Sequence, residues 1–248
     1  METYWRSNYS QFPKFTCPRC SKGKLHLKAS SLEAIEPAHS QREHSDEAWE
    51  PDWIRERFTC FLVCDGVCGE VVVVSGLRTH SYNVDYDDET GEEVVFEGQY
   101  HHPKLFYPAL KIISVSKKLN KQCGEDLTSS FALLWVDPAA CANRIRTFIE
   151  HLLDQFGIER LGINKHGEEY KLNLMQRLEK LEAVKPDHKA TLSALKKVGD
   201  FASHQGKAKF DTLIKCYELL EYALADLVDG KKDRMKKLTA ELLDGDDL

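Results

Sequence analysis

Two pairs of cysteines carry the most specific chemistry in the sequence. Cys17-Pro-Arg-Cys20 is followed by Gly23, and Cys64-Asp-Gly-Val-Cys68 contains Gly66 and ends on Gly69. A tight turn with a thiolate at each end points two sulfurs at one ion. Two such turns give a closed four-sulfur site, the structural type of zinc centre, with no open position for catalysis. Cys60 is a rival to Cys64 or Cys68 as a ligand. It lies within Arg57–Val63, RFTCFLV, which reads as a strand, so its side chain is expected in a sheet core.

A second set of polar residues lies in the other part of the chain. Asp137 to Gly157, DPAACANRIRTFIEHLLDQFG, reads as one helix with Asp137 as N-cap, Pro138 at the first helical position and Gly157 after the last turn. Cys141, Ile145, Phe148, Ile149, Leu152 and Phe156 form its apolar stripe. Arg146 and Glu150 flank one edge of that stripe, Arg144 and His151 the other. Arg146 and His151 do not form one site, because five residues along a helix rotate about 140°. Further on, Lys196, Asp200 and His204 fall at i, i+4 and i+8, on one polar face if the helix continues through Gly199, with Lys197 beside them. One reading of these groups is structural: Glu150, Asp200 and His204 as a polar trio locking two helices, or Asp200 capping a helix that restarts after Gly199. Cys141 and Cys216 sit in apolar seams and are expected in the core.

The elements that must position these groups divide into two parts. Residues 1–100 read as a zinc-ribbon and β-hairpin module. Its strands are expected at Arg57–Val63, Glu70–Ser75, Thr79–Asp85 and Glu93–Gln99, the last two joined through Asp87-Asp88-Glu89-Thr90-Gly91. Ser30–Pro51 reads as an inserted loop. His101–Leu110, with two prolines, reads as a linker that opens the second part, residues 101–248. There helices are expected at Glu125–Trp135, Asp137–Gly157, Leu172–Val184, from Pro186 toward Gly199, Lys207–Val228 and Lys231–Leu243, with Gly157–Tyr170 as a loop. The expected fold is α+β: a small antiparallel sheet stapled by metal, then an α-helical bundle.

Composition sets limits. The chain has 248 residues, is 42% hydrophobic and 30% charged, and has a formal net charge of −6. It is not a generally basic protein that coats nucleic acid. Seven acidic residues and no basic one lie between Val84 and Glu97, and six lysines lie between Lys185 and Lys209. An anionic ligand would go to the second stretch. No run of 18 apolar residues occurs, and the first residues have no continuous apolar core, so a cytoplasmic protein away from membranes is expected.

Pro103–Leu227 resembles the domain-of-unknown-function 4145 family. The features that carry it are Arg146-Thr-Phe-Ile-Glu150 on a long helix and Leu195-Lys-Lys-Val-Gly-Asp-Phe-Ala-Ser-His204. That family is similar to HEPN domains, so the resemblance implies a HEPN-like bundle, a homodimer, and a role in phage defence or a toxin-type system. Gly199 stands where an active HEPN ribonuclease has arginine, and Asp200 where the family has asparagine. The resemblance thus implies a bacterial protein that binds RNA or a nucleotide, with ribonuclease activity through His204, Asp200, Glu150 and Arg146 open. Such cleavage needs a base for the 2′-hydroxyl and a cation for the charged phosphorane, so the resemblance would make His204 the acid/base and take the cation from Arg146, Lys196 or the other subunit of a dimer. Arg144, Lys196 and Lys197 would contact the substrate. The alternative is a non-catalytic dimeric adaptor that docks a protein partner through the zinc module and the acidic hairpin.

Overall fold

A computed structural model describes residues 4–86 and 93–244. The chain divides into two compact units between Lys111 and Ile112, later than the expected boundary after residue 100.

The first unit is an antiparallel sheet of β1 (Leu25–Leu27), β2 (Glu33–Ile35), β3 (Arg55–Cys64), β4 (Val71–Tyr86) and β5 (Glu93–Tyr107), with a short helix α1 (Ala38–Glu43) in the inserted stretch. The order is β1-β3-β4-β5, and β2 also pairs with β3. Alternation along β3 buries Phe58, Cys60, Leu62 and Cys64 on one face. Val72 and Val74 of β4 and Phe106 of β5 join them in the core. The expected hairpin is present, since Tyr86 pairs with Glu93 and Thr79 with Tyr100. Its turn, residues 87–92, lies outside the described residues.

One expectation for this unit needs correction. The segment from His101 is no linker, because β5 runs through it to Tyr107. Pro103 is tolerated there: β5 is an edge strand and its register with β4 shifts between Ser75 and Gly76, the places where a missing N–H costs no ladder bond. The N-terminal segment adds an aromatic core to the sheet. Trp5, Tyr9 and Phe15 are buried, with Trp5 stacked on Phe15 at 5.3 Å and Tyr9 edge-on to Phe15 at 5.7 Å. Tyr9 and His101 exchange backbone hydrogen bonds of 2.8 Å, which fixes the N-terminal segment to β5.

The second unit holds α2 (Lys121–Val136), α3 (Pro138–Gln155), a small hairpin of β6 (Leu161–Ile163) and β7 (Glu169–Lys171), then α4 (Leu174–Val184), α5 (Lys189–Gln205), α6 (Phe210–Leu227) and α7 (Lys231–Asp244). The β6–β7 hairpin replaces the loop expected there. Helix α2 starts earlier than Glu125 because Asn120 caps it, accepting from the Cys123 N–H at 2.8 Å. Helix α3 begins as its sequence dictates, with Asp137 accepting from the Ala140 N–H at 2.9 Å. Its stripe residues Cys141, Ile145, Phe148, Ile149 and Leu152 are all buried, each such burial worth roughly 1.5–3 kcal/mol for the larger side chains. Helix α6 buries Leu213, Ile214, Tyr217 and Leu220. A polar thread crosses this core: the Tyr217 hydroxyl donates to Ser130 Oγ at 2.9 Å and lies 3.2 Å from the Cys141 thiol. No described helix is long and apolar enough to cross a membrane.

Candidate metal centre and cationic cleft

In the first unit β1, β3 and the turns at their ends bring Cys17, Cys20, Cys64 and Cys68 together, with all four sulfurs within 4.8 Å of one another. The Cys17–Cys68, Cys20–Cys64 and Cys64–Cys68 separations are 3.6, 3.9 and 3.5 Å. Sulfurs about 2.3 Å from one tetrahedral zinc would stand roughly 3.8 Å apart, so the cage has the size of a four-thiolate metal site. The Gly23 N–H donates to Cys20 Sγ and the Gly66 N–H to Cys64 Sγ, each at 3.3 Å. Such bonds stabilise thiolates. The Gly23 and Lys22 N–H groups pull the Cys20 thiol down to about 6, while burial pushes Cys64 up to about 12 and raises Cys17. Gly23 is required by space: a Cβ there would lie 2.5 Å from Cys64 Sγ. Cys60 is fully buried in the sheet, outside this cluster, and its burial raises its thiol to about 12. The cluster that could hold a metal is therefore the four cysteines of the two turns.

In the second unit α3 presents two polar edges, as its wheel requires. On one, Arg146 Nε donates to Asp200 Oδ1 at 2.9 Å and Arg146 Nη1 pairs with Glu150 at 3.0 Å. Lys196 pairs with the other oxygen of Asp200. Burial opposes ionisation of Asp200, but Lys196 and Arg146 outweigh it and hold the carboxyl below its usual range. This meeting depends on Gly199. Helix α5 is continuous through it, so Asp200 caps nothing. A Cβ on Gly199 would lie 2.8 Å from Arg146 Cβ and 3.1 Å from the Ala142 carbonyl oxygen. The glycine lets α5 lie directly against α3.

The second edge of α3 serves a different carboxylate. Asp126 of α2, 1% exposed, accepts from Arg144 at 3.2 Å and is hydrogen-bonded to His151 Nδ1. Arg144 is thus not at the Arg146 site. Lys197 lines a separate cleft with Val198, Phe201 and Lys209. His204, in the last turn of α5, is exposed and has no hydrogen-bond or ion-pair partner among the described residues. The structure brings Arg146, Glu150, Asp200 and Lys196 together, and leaves His204, Arg144 and Lys197 out of that group.

Sequence reasoning missed the cleft beside Arg146. It has a volume of about 290 Å³ and is lined by Arg146, Glu150, Arg160, Lys171, Arg177 and the Leu172–Leu174 segment that opens α4. Asn173 and Gln176 form a reciprocal cap at that helix start. Arg177 is buried and structural: it donates to the carbonyls of Glu150, Ile158 and Glu159 and pairs with Asp154 at 2.6 Å, closing the C-terminal end of α3. Arg160 and Arg177 together hold the Asp154 carboxyl below its usual range. Arg146, Arg160 and Lys171 remain as the groups that could face a ligand. A charged residue inside an apolar stripe, as Arg177 is between Leu174, Leu178 and Leu181, is the sequence signal that could have found this region.

Two family models match the chain, each described as a domain of unknown function. DUF8608 covers residues 6–106 and DUF4145 covers residues 128–242. No curated protein and no solved structure matches. The match across the helices contains the Arg146–Glu150 and Leu195–His204 segments, so residues 128–242 carry a DUF4145 domain.

Proposed function

We propose that the helical unit binds a phosphate-bearing ligand, RNA or a nucleotide, in the cleft between the end of α3, the β6–β7 hairpin and the start of α4. The observation that carries this reading is the gathering of Arg146, Arg160 and Lys171 around one concavity, with Glu150 as the carboxylate of its lining. Arg146 and Arg160 are already tethered, by Glu150 and Asp200 and by Asp154, and each guanidinium keeps further N–H donors for a phosphate. Binding without cleavage is the reading favoured by His204, which stands exposed and unpartnered by the acids that would orient it. The four-cysteine cage is assigned to structural Zn²⁺, on its size and its closed, all-sulfur ligand set. The setting in a defence or toxin-type system rests on the family resemblance alone.

The test is titration of a fluorescent single-stranded RNA and of a nucleotide by anisotropy. Arg160→Ala combined with Lys171→Ala is expected to weaken binding about tenfold or more, with affinity falling as salt rises. Equal binding by the wild type and this variant would remove the cleft from the proposal. The same samples, incubated without metal, report cleavage: RNA cut by wild type but not by His204→Ala would restore a catalytic role.

A further inference from the structure

The turn between α5 and α6 forms a cleft separate from that of Arg146. Gly206 ends α5 in the left-handed conformation, at φ 62°, and its N–H donates to the Ala202 carbonyl at 2.8 Å. The chain folds back there, so that Ala208, Lys209 and Thr212 join Lys197, Val198 and Phe201 around a space of about 410 Å³. Phe201 is the unexpected member. Leu192, Leu195, Gly199 and Ala202 bury one side of α5, and Phe201 lies roughly 140° round the helix from the middle of that seam. It is 59% exposed. A large ring on the far side of a helix adds little to the core. Gathered with Val198 and Ala208 at one concavity, it marks a place of contact.

The charges around this cleft give the sign of what would fill it. Among the described residues its lining holds Lys197 and Lys209 and no acid, and Lys207 lies in the same turn. None of these three lysines has a side-chain hydrogen bond or ion pair among the described residues. Elsewhere on α5 the lysines do find acids: Lys189 pairs with Glu179 at 3.4 Å, and Lys196 with Asp200. Three unneutralised ammonium groups beside one apolar hollow favour an anionic partner. The space is far larger than a lone ion needs and lies within the roughly 300–1,000 Å³ of clefts that take organic ligands. Its lining disfavours a nucleobase. Apart from the lysines, only the Thr212 hydroxyl could meet a base edge, and polar edge atoms left unpaired against Val198 and Ala208 are costly. An apolar side chain carries no such cost.

We infer that this cleft docks a short acidic segment of a partner protein, held by one leucine or phenylalanine anchor. The anchor lies on Phe201 with Val198 and Ala208 beside it. Carboxylates flanking the anchor in the segment meet Lys197 and Lys209, and Lys207 adds to the attracting field. The two kinds of contact divide the work: the buried anchor supplies most of the affinity, and the lysines steer the encounter and reject basic segments. The site stands independently of the Arg146 cleft, with which it shares no lining residue.

The experiment is fluorescence anisotropy of a short fluorescein-labelled peptide, a pair of leucines flanked by aspartates and glutamates, titrated with the full chain. Binding in the micromolar range is expected, weakening as salt rises. Phe201→Ser should weaken it about tenfold or more. Lys197→Glu with Lys209→Glu should do the same and also flatten the salt dependence. Exchanging the leucines of the peptide for serine should cost as much as Phe201→Ser, because both changes remove the same contact. Phe201, Lys197 and Lys209 are exposed, so these variants should keep the wild-type melting curve. Arg160→Ala with Lys171→Ala should bind the peptide as the wild type does, which separates this site from the phosphate cleft. Absence of saturable binding below millimolar concentration overturns the inference. So does binding indifferent to Phe201→Ser. A single-stranded RNA that binds more tightly than the peptide and is lost in Phe201→Ser would overturn it too, by giving the cleft to nucleic acid.

Discussion

The two units solve the same problem of stability in opposite ways. In the first, four sulfurs from two turns far apart in sequence, Cys17–Cys20 and Cys64–Cys68, meet at one point. In the second, cohesion is spread over apolar stripes on α2 to α6, and charged groups act at their edges, as Arg146 and Asp126 do beside α3. A point attachment can be removed by one atom, whereas a distributed core loses only a fraction with each substitution. The aromatic cluster of Trp5, Tyr9 and Phe15 moderates the contrast, for it gives the sheet a core beside the four sulfurs.

The comparison can be broken most sharply at the cage. With the proposed zinc in the cage, Cys17→Ser or a strong chelator should remove the metal and cost the sheet unit on the order of several kcal/mol, since metal binding and folding are linked. The helical signal in circular dichroism should persist. Loss of helix along with metal would show that the units are not independent in stability. A smaller effect is expected in the bundle. Arg177→Met leaves Asp154 without its buried partner and the Glu150, Ile158 and Glu159 carbonyls without a donor. Breaking such a buried set costs about 3–5 kcal/mol, to be read as a lowered denaturation midpoint with unchanged zinc content.

The smallest effect is acid sensitivity. Asp154 is held below its ordinary value of 3.8 by Arg160 and Arg177, and Glu56 of the sheet below 4.5 by Arg78 and His80. A carboxylate whose folded pKa is depressed contributes stability that is present above its unfolded pKa and lost as pH falls through the folded one. From neutral pH down to 4.5 neither group should change stability. Below that, Glu56 and then Asp154 should withdraw theirs, and urea midpoints against pH would show whether the sheet declines first.

Much of this was legible because it is local. The caps and stripe of α3 are written in consecutive residues, and the turn cysteines declare their spacing. The separation of Arg146 from His151 followed from helix geometry alone, and the two do serve different carboxylates, Asp200 and Asp126. What escaped is what depends on distant neighbours. Asp126 reads as an ordinary helical acid until Arg144 and His151 are found above it. β5 was hidden by Pro103, which an edge strand tolerates at a register shift. The continuity of α5 through Gly199 was obscured because glycine punctuates a sequence, whereas here it answers a crowding that only the neighbouring helix imposes.

That crowding has a consequence for Arg146. With α5 pressed against its Cβ, the root of the side chain cannot swing, and only its outer torsions are free to turn the guanidinium toward the cleft. The rotamer entropy that a surface arginine would surrender on meeting a phosphate is largely given up when the helices close. Enlarging Gly199 would therefore do more than strain the crossing of α3 and α5: it would turn a stationed cation into a roaming one.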